Sequence, residues 1–175
     1  MTKLLLSVHV LAAIVAIGPI TVAASMFPRF VKAQTGDHDS SGEERTPATA
    51  ALLHRICRGY TAVGVAVPVF GLATGGQMGV LGDAWLIVSI VLTAIAAALL
   101  LSVILPGQER LLDQVAAAAV NGGTGASSPA TTEPATAEAI RSAAARLAMV
   151  TGVFNLLWAV VVVLMIVRPG STTGA

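Results

Sequence analysis

The sequence predicts an all-α integral membrane four-helix bundle built from two transmembrane hairpins, and three observations predict it. Four long apolar runs, Leu4 to Phe27, Gly59 to Leu81, Ala84 to Leu105 and Leu147 to Val167, contain no Asp, Glu, Lys or Arg. At about 1.5 Å of rise per residue, each is long enough to cross a hydrocarbon core of about 30 Å with some tilt. Hydrophobic residues make up 55% of the chain, charged residues 11%, and the mean hydropathy is +0.84, outside the range of ordinary soluble domains. Positive charge between the runs, finally, falls on alternate loops only.

That third observation sets the expected orientation. Lys3 precedes the first run; Arg29, Lys32, Arg45, Arg55 and Arg58 separate the first from the second; Arg110, Arg141 and Arg146 follow the third, and Arg168 follows the fourth. Placing the first and third loops in the cytoplasm puts eight of the 10 basic residues inside, with both termini extracytoplasmic. The expected location is therefore a cell membrane, crossed several times, with the lipid bilayer as the first partner. Residues 1–175 read as a single membrane domain, with transmembrane helices at about 4–27, 52–81, 84–105 and 147–168 and flexible cytoplasmic loops at 28–50 and 121–135. A cleaved signal peptide ending near Ala23-Ala24-Ser25 is rejected, because its apolar stretch is long and cleavage would strand the basic first loop outside.

In the first helix Gly18-Pro19 predicts a kink, since proline removes one backbone hydrogen bond. After Phe27-Pro28 the polar, mixed-charge stretch reads as solvated; Asp37, His38 and Asp39 within it lack the rigid support that a metal site needs. The second helix is expected to begin near Ala48 to Ala51. Its basic turn, His54-Arg55-Ile56-Cys57-Arg58, places Arg55 and Arg58 to meet anionic lipid head groups. Gly64, Pro68, Gly71 and Gly75 share one face, and Gly71 with Gly75 makes a GxxxG pair for helix packing, within the bundle or between copies. Cys57, the single cysteine, allows no intramolecular disulfide and reads as a small buried apolar residue.

Trp85 opens the third helix as an interfacial anchor, and Pro106-Gly107 is expected to end it. Gln108 to Val120 keeps an amphipathic pattern, with Leu111, Leu112 and Val115 opposite charged residues. The Gly-, Ser- and Thr-rich residues 121–135 cannot offset chain entropy by burial, and Thr136 is the expected N-cap of the fourth helix.

Chemistry inside the membrane is sparse. His9 lies about 8 Å inside the first helix at 1.5 Å per residue. It is a candidate buried polar group, or the ligand of a haem. His54 belongs at the other surface, so the two histidines are not expected to clamp one iron; Met26, Met78 and Met149 are the alternative second ligands. Thr151 and Asn155, one turn apart in the fourth helix with Trp158 on the next, are candidate buried polar positions, Asn155 hydrogen-bonding across the bundle. Neither a GxSxG elbow nor an HExxH pair is present, and the apolar runs hold no acidic or basic residue for a proton pathway.

His9-Val10-Leu11-Ala12-Ala13-Ile14, the segment Trp85 to Arg110 with Leu105-Pro106-Gly107-Gln108-Glu109-Arg110, and Leu164-Met165-Ile166-Val167-Arg168-Pro169 resemble the bacterial predicted integral membrane proteins of the domain of unknown function 2269 (DUF2269). The resemblance implies a four-helix membrane protein in a bacterial cytoplasmic membrane, and brings neither an activity nor a site. The expected function is that of a non-enzymatic membrane interaction or accessory protein, with a homo-oligomer or another membrane protein as partner and no nucleic acid. The alternatives are a haem- or metal-linked redox protein using His9, and a small-solute transporter.

Overall fold

A computed structural model describes residues 2–33, 47–123 and 132–170. The described residues form α1 (Thr2–Ala33), α2 (Pro47–Gly64), α3 (Ala66–Met78), α4 (Ala84–Leu99), a π turn (Leu100–Ile104), α5 (Leu105–Gly123) and α6 (Thr132–Val167), with no strand among them. In the bundle these make four long apolar segments able to cross a membrane: Lys3–Lys32, Ala48–Met78, Ala84–Val120 and Thr136–Val167. The all-helical class read from the sequence is therefore the observed one, with four segments long and apolar enough to cross a membrane.

Helix boundaries depart from expectation at Pro28, Pro68 and Pro106, whereas the last helix ends just before Arg168-Pro169 as expected. α1 continues through both Pro19 and Pro28 to Ala33, so the first loop does not begin at residue 28. Phe27 and Val31 are both fully buried, and their packing outweighs the single backbone bond that Pro28 removes. The expected second helix is interrupted instead. Pro68 lacks the N–H that Gly64's carbonyl would accept, and its ring crowds that carbonyl, so the α-helical ladder breaks at Val65 between α2 and α3. α6 starts at Thr132 rather than Thr136, with Pro134 in its first turn, where a missing N–H costs nothing. Of the expected loops 28–50 and 121–135, residues 28–33, 47–50, 121–123 and 132–135 are helical, whereas 34–46 and 124–131, with Asp37, His38 and Asp39, lie outside the described residues.

The largest correction is at Pro106-Gly107, which does not stop the third helix. The chain runs from α4 through the π turn into α5, and Leu105 N–H reaches back to the carbonyl of Leu100. Proline at 106 would otherwise press against the carbonyl of Ser102; the wider π turn relieves that clash and lets the helix continue. It also resets the faces. Four residues overshoot a full α-helical turn by about 40°. Three such steps would carry position 108 about 120° away from position 96. With the π turn between them, Ala96, Leu100, Ile104 and Gln108 are all buried.

α1 is the central helix, packing against α2, α3 and α6, while α4 packs on α6 and α5 packs on α2. Its buried stripe is Ile20, Ala23, Ala24, Phe27 and Val31; that of α6 is Ile140, Ala144, Leu147, Thr151, Phe154 and Val161. The second stripe repeats at alternating steps of four and three, the seam of a left-handed bundle. Ile20 to Val31, Ala50 to Cys57, Ala96 to Ile104, Leu111 and Ile140 to Phe154 merge into one core at the basic end of the bundle, where α1 ends and α2 begins. At the opposite, hairpin end a smaller cluster joins Val80, Trp85 and Leu86 with Met78 and Met165. There the Asp83 carboxylate accepts the Trp85 indole N–H at 3.0 Å, and the Arg168 guanidinium sits 5.7 Å from the Trp85 ring centroid.

Candidate functional site

Three polar constellations interrupt the apolar interior, and each joins different helices. The first is at the hairpin half. His9 of α1 donates from Nδ1 to the carbonyl of Val67 in the first turn of α3, at 2.9 Å. Space for the ring comes from a glycine: a Cβ at Gly71 would lie 2.8 Å from His9 Cε1. Gly75 is equally engaged, since its Cβ would meet Leu86 at 3.0 Å and Leu81 at 3.3 Å, while Gly64 faces Ile20 at 3.9 Å. The small-residue face of the second span thus receives side chains from within the bundle. Gly75 is buried and Gly64, Pro68 and Gly71 half-buried there, so this face serves packing within the bundle.

The second constellation, at the basic end, was missed by sequence reasoning. His54 Nδ1 donates to Gln108 Oε1 at 3.0 Å, Gln108 Nε2 donates to Cys57 Sγ at 3.7 Å, and the Cys57 thiol points to the carbonyl of Ile20 at 3.9 Å. The second imidazole nitrogen lies 3.5 Å from the Glu109 carboxylate. This chain of contacts ties α2, α5 and α1 together. Gln108 is fully buried, although the sequence pattern had placed it at the start of an amphipathic surface helix. Only a register that includes the π turn brings Gln108 onto the face of Ala96, and no composition signal announces a π turn. Cys57 is buried as expected, but as a member of a polar chain rather than as an apolar filler.

The third lies near the centre of α6. Asn155 donates from Nδ2 to Ser25 Oγ on α1 at 3.0 Å, a cross-bundle hydrogen bond of the kind that contributes about 1 kcal/mol within a membrane. Thr151 is buried in the same stripe, and Trp158 meets Phe154 edge-on with ring centroids 6.3 Å apart.

His9 and His54 have separate partners on different helices, and no group of three His, Cys, Asp or Glu side chains able to hold a metal occurs among the described residues. Met26 and Met149 face outward, and Met78 is packed into the hairpin-end cluster. Arg55 and Arg58 are exposed on α2, where a shallow groove runs between Arg55, Ile56, Gly59, Tyr60 and Val63. A guanidinium at one end of an apolar groove suits a lipid phosphate with its chain along the helix. Comparison of the chain with protein-family models, with curated proteins and with solved structures found no match.

The His9–Gly71 contact predicts non-additive mutational effects. Gly71→Ala should lower stability by about 1–3 kcal/mol, because the ring must give up its place against α3. In a His9→Ala background the same change should cost far less. Reversible unfolding of the four variants in mixed micelles measures the coupling, and simple additivity would show that the two positions do not meet.

Proposed function

We propose that this protein is a non-enzymatic membrane interaction or accessory protein. The observation that carries the reading is the division of the helix surfaces. Gly71 and Gly75 are engaged internally, which leaves a partner a different face; along α4 and into the π turn that follows it, Ala94, Ala98 and Ser102 lie exposed at steps of four with Val91 and Leu101 beside them. Small side chains at that spacing allow two helix backbones to approach closely in lipid. The expected partner is a second copy of this chain or a transmembrane helix of another protein.

Replacing Ala94 and Ala98 together by Leu should reduce self-association at least several-fold in a membrane energy-transfer assay while leaving the unfolding midpoint nearly unchanged. An unaltered oligomer distribution argues against this face. For orientation, the loop charges support both termini outside a bacterial cytoplasmic membrane. Single cysteines introduced at 40 and 127 into a Cys57→Ala chain should resist an impermeant thiol reagent in intact cells, and Gly82→Cys should react. The reverse pattern would invert the topology.

A redox or metal-linked role for His9 is the second reading, and one observation favours it. A ring that donates from Nδ1 to a carbonyl keeps its Nε2 lone pair for a ligand, as ligating histidines do. Gently purified protein would then show a Soret band or bound metal, lost in His9→Ala; colourless, metal-free protein with full helicity would leave the accessory role. The resemblance to the DUF2269 proteins rests on the short segments quoted above and favours neither reading.

A further inference from the structure

In the middle of α6 three buried polar atoms have no protein partner: Thr151 Oγ1, Asn155 Oδ1 and Trp158 Nε1. Their residues lie at i, i+4 and i+7, on the helix side that Asn155 turns toward Ser25 of α1, within about 10 Å along the axis. Thr151 is only 2% exposed. Its hydroxyl behaves unlike others in this bundle. Thr61, Thr74, Ser89 and Ser102 each donate to the carbonyl four residues earlier, which is how a helix in lipid ordinarily satisfies a hydroxyl. Thr151 makes no such bond. Hydrocarbon offers these three atoms nothing, so orphaning all of them within two turns of one helix is costly unless a further molecule pairs with them.

The donor set defines that molecule. Trp158 Nε1–H only donates, Asn155 Oδ1 only accepts, and the Thr151 hydroxyl does either. A pure acceptor such as a ketone would satisfy the indole and leave the amide oxygen unpaired; a charged group would find no counter-charge, since Leu147 to Val167 holds none. A hydroxyl accepts and donates at once. We propose that Thr151, Asn155 and Trp158 form an intramembrane site for a small uncharged hydroxylic molecule, either water or the hydroxyl of an amphiphile, held between α6 and α1. The Asn155 Nδ2 bond to Ser25 fixes the orientation of the amide, and with it that of its unpaired oxygen. This inference stands apart from the proposed interaction role, since it concerns the inside of the bundle and not its α4 face.

The test uses the full chain in nanodiscs of deuterated phosphatidylcholine and phosphatidylglycerol, with nitrogen-15 in the indoles and the two indole signals assigned by Trp85→Phe. A magnetisation-transfer cross-peak from water to the Trp158 indole proton is expected; if the source is an amphiphile, added protonated 1-hexanol gives the cross-peak instead. Thr151→Val, nearly the same size, should weaken that cross-peak at least twofold and lower the unfolding midpoint by several degrees, and Thr151→Ser should restore both. Absence of a cross-peak from both water and hexanol overturns the site. So does a midpoint that Thr151→Val leaves unchanged or raises, because removing a hydroxyl that truly lacks a partner relieves the fold.

Discussion

Hydrocarbon offers no hydrogen bonds, and every departure from regular helix in this bundle answers to that constraint. Proline tests it directly, by deleting a donor and crowding a carbonyl one turn back. Four prolines inside the spans meet it in three ways. Pro19 and Pro28 are absorbed without interrupting α1, Pro68 breaks the ladder at Val65, and Pro106 is accommodated by the π turn at Leu100–Ile104. The last two shape the interior chemistry. The break starts α3 where the Val67 carbonyl meets His9, and the π turn swings Gln108 into contact with His54 and Cys57.

Packing follows from the same positions. Because α1 touches α2, α3 and α6, its two glycine- or serine-bearing neighbourhoods decide how closely the others approach: His9 nests over Gly71, and Ser25 receives Asn155. Ala23 and Ala24 keep the backbone of α1 near its neighbours between these contacts, and Phe27 fills the space below. The core is thus densest at the basic end, whereas the first fourteen residues of α1 present Leu4, Leu11 and Ile14 outward, with 60% or more of each exposed. In a membrane such side chains meet acyl chains, and their exposure carries no penalty of the sort it would have in water.

That four long apolar segments build the fold was legible in the sequence, because it depends on the length and separation of apolar runs, which the order of residues records directly. So was the cross-bundle hydrogen bonding expected of Asn155, since a mid-span amide has few other options. Some helix ends were legible, the start at Ala84 and the end at Val167 among them, and others were not. Where an end is read from a proline, whether proline stops, breaks or merely bends a helix depends on packing several residues away, as Phe27 and Val31 show beside Pro28. Gln108 was illegible for a related reason. Its burial depends on a helical register altered by five residues whose side chains, Leu100 to Ile104, are those of any apolar helix.

The π turn has one more implication, for changes in chain length. A π turn is a helix carrying one residue more than its α-helical ladder requires, so deleting a residue from Leu100–Ile104 restores the regular ladder. In the same stroke it presses Pro106 against a carbonyl it now avoids. Losing Pro106 alone leaves the surplus residue without its cause. The deletion and the replacement of Pro106 are therefore a compensating pair: a shortened descendant of this chain would be viable with both changes and impaired by either one.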